Sequence, residues 1–413
     1  MFGDAAERMG VDLLLATDRC DVLDDPWHDG AIPVRFYDEA GSVASIVEAS
    51  RRRPIDGIVA VGDRPTVVAA MARQALGLPG HSPAAAARAG NKRHARQRFK
   101  ESGLLVPVFV ERACSADMKG FADAVGFPAV LKPLSLSGSR GVMRVNDTRE
   151  LATALARLRL LLSSADVRAE RAEVHDLVLL ESFVEGDEFA LEGLMDHGTL
   201  HTLAIFDKPD PLDGPFFEET IYVTPSRATQ AVQRSIVAAV TAAASALGLS
   251  HGPVHAECRV NEGGVFVLEV AARPIGGLCA RALRFRETDS PDSGPDVAFE
   301  ELLLRHALGE SSVGWERESA ASGVMMIPIP RRGIYRGVAG VDEARCVAGI
   351  DDIRITAKPD QLLVPLPEGA SYLGFIFARA VDAADVDAAL RQAHARLAFE
   401  IAGEVPMLES LHG

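Results

Sequence analysis

The sequence predicts a mixed α/β (α+β) protein of several domains, on three observations. Near the N-terminus, apolar runs of strand length alternate with helical stretches, as in βαβ units of a parallel sheet. Further on, apolar runs meet at glycine turns, as in PVHAECRV, NEGG, VFVLEV, which is the pattern of antiparallel hairpins. The 413 residues exceed what one compact core holds, so two or three domains are expected.

Val11 to Thr17 (VDLLLAT) reads as a buried strand, SVASIVEASRRR as an amphipathic helix, and Ile55 to Asp63 (IDGIVAVGD) as a second strand. A helix is predicted from Pro65, with Gly77 near its C-cap. The chain opens on a helix-like segment, whereas a Rossmann-like unit starts on a strand and a glycine turn. Ser82 to Gly103 reads as helix broken near Gly90. Phe127 to Pro133 reads as a strand, SLSGSRG as a loop and VMRV as the return strand. The next helix carries Asp147 and Glu150 as a capping box. Leu177 to Met195 reads as two strands around EGD, and Asp207 to Ser226 as a long loop rich in Pro, Gly and acid. An alanine-rich helix, ATQAVQRSIVAAVTAAASALGL, leads into the hairpin quoted above. A loop from Glu287 to Pro295 and the helix FEELLLRHALG follow. The last hundred or so residues alternate short strands with turns and end in a helix.

Composition narrows the function classes. With 48% hydrophobic and 24% charged residues the chain has globular composition. A net charge of -15 disfavours nucleic-acid binding, which needs basic surface against phosphates. Arg51 to Pro54 and Asn91 to Arg98 are the dense basic stretches. Five scattered cysteines without a C-x-x-C pattern argue for a reducing cytoplasm and against a disulfide framework or structural zinc site. Neither a signal peptide nor a membrane span is recognisable.

Three groups of residues carry chemistry. In the hairpin turning at Asn261 to Gly264, Glu257 and Glu269 lie opposite or nearly so, with the register open by one residue. Alternation puts His255, Glu257 and Arg259 on one face, and Glu269, Ala271 and Arg273 on one face of the return strand. Facing carboxylates at roughly 5 Å repel unless a proton or cation sits between them. A sheet face neutralised by Arg259 and Arg273 is one reading, and a Mg²⁺ seat the other. Close pairing of Glu269 with Arg273 would require a bend, since an extended strand sets their Cα atoms on the order of 13 Å apart. Second, Lys132 ends an apolar strand before a loop with Ser135, Ser137, Gly138, Ser139 and Gly141. It lacks the G-K-[ST] of a Walker loop, yet its small residues can wrap an anion with backbone N–H groups. A flexible hairpin loop is the alternative. Third, Glu181 and Glu188 flank a glycine turn, either as acceptors for ribose or adenine groups or as a solvated hairpin edge.

Taken in order, these features resemble the ATP-grasp superfamily. The motifs that carry the resemblance, LKPLSLSGSRGV, HAECRV and LEVAARPIGG, fall within about Lys92 to Arg273. It implies an ATP-grasp fold with a Rossmann-like N-terminal domain over 1–85, a nucleotide-binding and catalytic region over 86–310 with a lid at about 110–185, and a β-rich C-terminal subdomain over 311–413. Lys92 and Lys132 then hold ATP phosphates. Ser137, Gly138, Ser139 and Gly141 belong to the closing loop, Glu181 to the adenine hinge, and Glu188 to the ribose site. Glu257 and Glu269 match ligands for Mg²⁺ (one or two ions, with Mn²⁺ an alternative), and Arg273 matches the arginine that steadies an acyl phosphate. Ala271 departs from the family pattern, which has asparagine as a further metal ligand there.

VEGDEFALEG, GPFFEETIYVTPS and EVAARPIGG resemble the L-amino-acid ligase (dipeptide synthetase) branch. That implies phosphorylation of an amino-acid carboxylate and attack by an amine, with His255, Arg281, Glu218 and Glu219 as substrate contacts. The implied partners are small-molecule carboxylates and amines, with no nucleic acid and no membrane, and a homodimer is a family-level expectation. A purine-biosynthetic or carboxylase-type ATP-grasp enzyme, and a nucleotide-binding scaffold without turnover, are the alternatives.

Overall fold

The computed structural model describes residues 2–18, 31–116, 120–288 and 296–403. The expected loop from Glu287 to Pro295 lies largely outside them.

The N-terminal segment comprises α1 (Phe2–Met9), β1 (Leu15–Thr17), β2 (Ala31–Pro33), α2 (Glu39–Arg52) and α3 (Thr66–Leu76). β1 and β2 pair in parallel. The buried strand expected over Val11 to Thr17 is thus only three residues long, and Leu13 and Leu15 are exposed. The second expected strand, Ile55 to Asp63, joins no ladder. Its Ile58 carbonyl is taken by the Arg73 side chain, whose Nε and Nη2 donate at 2.9 and 2.6 Å. Ile55 and Ile58 still pack into the small core beneath α2 and α3. α3 ends at Gly77, which adopts φ 70 as the C-cap reading requires. The opening helix α1 docks on the central region, where Ala5 and Ala6 meet Leu304.

Ser82 and Asn91 cap α4 (Pro83–Ala89) and α5 (Lys92–Glu101), with the break at Gly90. A four-stranded sheet follows, ordered β3-β6-β4-β5, from β3 (Phe109–Ala113), β4 (Ala129–Pro133), β5 (Met143–Val145) and β6 (Leu177–Ser182). Between β5 and β6 run α6 (Thr148–Leu162) and the short α7 (Ala165–Arg168). This unit has its own core around Leu131, Leu155, Leu158 and Leu180. Asp147 caps α6 by accepting from the Glu150 amide at 2.8 Å, but Glu150 reaches back one residue further than a capping box, to the Asn146 amide at 2.9 Å.

The central sheet has eight strands, ordered β11-β10-β7-β8-β9-β15-β19-β17, of which β15 (Ala321–Ile327), β19 (Gly374–Ala380) and β17 (Ile350–Ile355) come from the C-terminal part. Its first members are β7 (Asp187–Asp196), β8 (Thr199–Lys208) and β9 (Ile221–Thr224), then, after α8 (Gln230–Leu247), β10 (Gly252–Asn261) and β11 (Gly264–Ala271). The period of two sorts its faces. Phe189, Leu191, Val254, Ala256, Cys258 and Val267 pack on Ile236, Val240 and Ala244 of α8, while Glu188, His255, Glu257 and Arg259 line a cleft. The stretch expected as a loop from Asp207 to Ser226 begins at the end of β8 and contains β9. All four side chains of β9 are buried, so its apolar IYVT run outweighs the Pro and Gly signals around it.

Two short strands, β12 (Arg284–Glu287) and β13 (Val297–Ala298), precede α9 (Phe299–Ala307) and β14 (Trp315–Arg317). The C-terminal part adds β15 (Ala321–Ile327), β16 (Gly333–Ala339), α10 (Val341–Arg345), β17 (Ile350–Ile355), β18 (Leu362–Leu363), β19 (Gly374–Ala380), α11 (Ala383–His394) and β20 (Ala398–Ala402). β15 pairs with β9, so this segment continues the central sheet. The expected terminal helix is α11, but the described chain closes with β20, whose Ile401 pairs with Tyr335. No helix among the described residues is long and apolar enough to cross a membrane.

Candidate active site

The N-terminal segment, the four-stranded unit and the central sheet enclose a cleft of about 2240 Å³. Its chemistry comes from three charged groups on different elements.

The first joins α5 to the four-stranded unit. Lys132 closes β4, and its Nζ hydrogen-bonds Glu181 on the neighbouring strand β6. Arg96, fully buried one turn beyond Lys92 on α5, donates to the same carboxylate at 2.6 Å and to the Val267 carbonyl at 3.2 Å. Burial alone would raise the Glu181 pKa, but Arg96 and Lys132 hold it below the usual carboxylate range. Burial pushes Lys132 down to about 8 despite Glu181. Two cations share one anion, and of the three groups Lys132 and Glu181 line the cleft while Arg96 lies buried behind them. Lys92 Nζ donates to the Leu136 carbonyl at 2.9 Å and lies 3.3 Å from Glu269.

The glycine/serine loop between β4 and β5 is tied at both ends. The Lys92 amide donates to the Leu134 carbonyl at 3.0 Å, and the Gly141 amide to the Pro367 carbonyl at 2.8 Å. Between these ties Gly138 and Ser139 adopt φ 62 and 56. Ser137, Gly138 and Ser139 line the cleft. Gly141 packs beneath the loop instead, where a Cβ would come within 2.9 Å of Leu158.

The second group is a set of acids around a lysine. Oxygens of Glu188, Glu219 and Glu257 lie within 4.8 Å of one another. Lys208, the last residue of β8, donates to them at 2.8, 3.2 and 2.7 Å. The Tyr222 hydroxyl also donates to Glu257, at 3.2 Å. Burial would depress the Lys208 ammonium, but the three carboxylates raise it well above its usual value. Glu257 is pulled well below the carboxylate range against the effect of burial, by Lys208 and His255. Glu219 goes the other way: burial and then the Glu257 charge lift it to about 7. The other Glu188 oxygen accepts from Arg259 Nε at 2.8 Å. Glu257 and Glu269 are direct register partners, and a bulge beside Cys258 follows. His255 is buried between Glu192, which its Nδ1 hydrogen-bonds, and Glu257 at 3.7 Å. Burial would lower its pKa, but the two carboxylates carry it to about 10.

The third group is the end of β11. The chain bends after Ala271, and the Glu192 carboxylate holds the bend by accepting from the Ile275 amide at 3.1 Å. Arg273 turns away from Glu269 and forms a bidentate pair with Asp63, at 2.7 and 3.0 Å. Burial would raise Asp63, but Arg273, Lys92 and a hydrogen bond from Ser137 hold it low.

Most of the residues expected from the sequence therefore line one cleft: Lys92, Lys132, Ser137, Gly138, Ser139, Glu181, Glu188, Glu219, His255, Glu257, Glu269 and Arg273. Glu218 does not line the cleft, although its neighbour Glu219 does, and its carboxyl is raised by burial. Arg281 is turned elsewhere: it pairs with Asp352 at 3.1 Å and stacks over Phe377. Lys208, Asp63, Arg96, Tyr222 and Glu192 belong to the site but are absent from the sequence-derived set. Lys208 and Asp63 carry the signal that marks Lys132, a charge closing an apolar run. Arg96 lies four residues after Lys92, on the same helix face.

Glu257 and Glu269 supply hard oxygen donors from facing strands, as a Mg²⁺ ion requires. Lys208 and Lys92 offset their charge. The Ala271 side chain offers no ligand atom.

Residues 125–282 match an ATP-grasp domain, 325–402 the L-amino acid ligase C-terminal domain 2, and 3–80 the ATP-grasp N-terminal domain. The structure resembles an L-amino acid ligase from Bacillus licheniformis with TM-score 0.81 and 27% identity, covering 97% of this chain and 96% of that one. In sequence it is 27% identical over 316 residues to the uncharacterized protein y4rH of Sinorhizobium fredii, covering 76% of this chain and 62% of the relative. It is 27% identical over 249 residues to the alanine–anticapsin ligase of Bacillus subtilis, covering 57% of this chain and 52% of the relative. The matches thus span little more than half the length of these two curated relatives. With an ATP-grasp domain at its centre and an L-amino acid ligase domain behind it, the chain belongs to the ATP-grasp superfamily and is similar to its L-amino-acid ligase branch.

Proposed function

We propose that the protein is an ATP-dependent carboxylate–amine ligase, which phosphorylates an amino-acid carboxylate and joins it to an amine with release of ADP and phosphate. The observation that carries this reading is the convergence of Lys92, Lys132, Glu257, Glu269 and Arg273, from four separate elements and the bend after β11, on one cleft. Similarity to ligases named for alanine and for L-amino acids supports it.

A carboxylate is a poor acyl donor because its leaving group is oxide. Transfer of the γ-phosphoryl group replaces oxide with phosphate, and the protein's work is positioning and charge stabilisation. In this reading Lys92 and Lys132 bind the phosphates, and the loop at Ser137 to Ser139 closes over them with its hydroxyls and amides. Glu257 and Glu269 would hold one Mg²⁺, which when bound offsets negative charge on the phosphates. Arg273, kept in place by Asp63, steadies the acyl phosphate and the collapsing oxyanion. His255, cationic between Glu192 and Glu257, orients the carboxylate. Glu188 and the apolar wall of Phe183, Val184, Leu212 and Phe217 receive the nucleoside. The four-stranded unit acts as the lid that keeps the acyl phosphate from water. Cytoplasmic work fits the free thiols of Cys114, Cys258, Cys279 and Cys346.

The test is a phosphate-release screen with Mg-ATP and amino acids, singly and in pairs. ADP formation is expected only when an amino acid is present, and most strongly with two kinds together. No release with any amino acid, alongside release with bicarbonate or a ribosyl amine, rejects the reading. Lys132→Ala is expected to weaken ATP binding by about 10- to 100-fold, the worth of one or two charge-assisted hydrogen bonds. The fold should survive, because Arg96 still neutralises Glu181. Titration with ATP beside a thermal melt checks both halves, and unchanged ATP affinity removes Lys132 from the phosphate site.

A further inference from the structure

We propose that the protein carries a second cation site, for a borderline divalent metal such as Zn²⁺, formed by Asp196, His197 and His251 at the far end of the central sheet. β7 begins at the acid cluster and ends at Asp196, eight residues beyond Glu188, or on the order of 26 Å along the strand. None of the three residues lines the cleft.

Local geometry assembles the site. Asp196 pairs with Thr199 across a two-residue turn, His197–Gly198, with φ 46 and 88, the form that two-residue hairpins favour. The Gly198 amide donates to the Ser250 carbonyl at 2.7 Å, which brings the loop before β10 against this turn. Asp196 Oδ1 then lies 3.4 Å from His251 Nδ1 and 3.7 Å from His197 Nε2. One ligand atom from each residue lies within 4.8 Å of the others. A tetrahedral ion with bonds of about 2.0–2.1 Å sets its ligand atoms roughly 3.3–3.4 Å apart, so only a small closure is needed.

The state of His251 points to a ligand independently. The residue is 8% exposed, and neither ring nitrogen makes a well-formed hydrogen bond, its polar neighbours being Asp196 at 3.4 Å and the main chain of His306. Buried polar groups nearly always have partners. Besides Asp196, its ring approaches the main chain of His306 and stacks on the His306 ring at 4.1 Å. His306 is not available as a ligand, since its two nitrogens face the Met195 and Glu310 carbonyls at 3.0 and 3.2 Å. Ser311 donates to Asp196 Oδ2 at 3.1 Å, leaving Oδ1 toward the imidazoles, an outer contact of the kind that orients metal ligands. Imidazole donors suit Zn²⁺ rather than Mg²⁺, so this site and the Glu257–Glu269 pair select different ions. A bound ion ties the β7–β8 turn to the loop ahead of β10, and so braces two strands that carry Glu188, His255 and Glu257.

The experiment uses the full chain without a polyhistidine tag, stripped with chelator and titrated with Co²⁺ in saturating Mg²⁺ and ADP. One equivalent is expected to bind with the visible absorption of four-coordinate Co²⁺, to be displaced by Zn²⁺, and to raise the unfolding midpoint. His197→Ala is expected to weaken binding by at least about 10-fold, and Asp196→Asn and His251→Ala likewise. The His197 side chain is 85% exposed, so that variant folds even if the buried His251→Ala does not. Binding of wild-type affinity in His197→Ala, or Co²⁺ that stays six-coordinate, overturns the proposal.

Discussion

Glu269→Gln is expected to lower kcat by more than about 100-fold while leaving the unfolding midpoint unchanged. Altering contacts outside a metal's direct ligands already costs about 10- to 100-fold, and Glu269 is proposed as a direct ligand. The stability half follows from exposure. The Glu269 side chain is 26% exposed and has one ion pair, with Lys92. Lys92 keeps its bond to the Leu136 carbonyl, so no buried charge is stranded. Gln preserves size and one acceptor oxygen. Phosphate release beside a circular-dichroism melt checks both halves, and activity within about tenfold of wild type removes the metal role.

Lys208→Met has the opposite profile, because its main effect is on the fold. The Lys208 side chain is 3% exposed and donates to three carboxylates. Methionine fills similar space but leaves those acids without their shared cation. Breaking a buried ion pair from one side costs about 3–5 kcal/mol, to be read by urea unfolding. Adding Glu219→Gln is expected to restore part of the loss, since the two positions touch and their effects couple. Urea midpoints that match wild type would show that the acids are neutralised in another way.

These two residues differ in how far the sequence revealed them. Glu269 was visible because alternation and the NEGG turn set its strand against Glu257, and the structure pairs them directly. Lys132 and the loop after it were visible for a similar reason, since an apolar run ending on a charge needs only local pattern. Lys208 has the same pattern in AIFDK, but the run of Pro, Gly and acid behind it masked the strand. Asp63 was hidden differently. Its segment has strand composition, yet the Arg73 side chain takes the place of a strand partner. Arg281 shows the converse, a cation close in sequence to the site that the fold turns toward Asp352.

What the sequence determined by itself is local: helix caps at Gly77 and Asp147, the hairpin that sets Glu257 opposite or nearly opposite Glu269, and the ATP-grasp motifs between Lys92 and Arg273. Only the tertiary structure decided which charges share a site. Arg273 meets Asp63 across 210 residues, Arg96 meets Glu181 across 85, and Lys208 meets Glu257 across 49. The physical reason is that turns and caps depend on neighbours along the chain, whereas charges interact through separation in space and burial. The sequence therefore shows which groups are present, and the packing of the sheet decides which of them is neutralised by which.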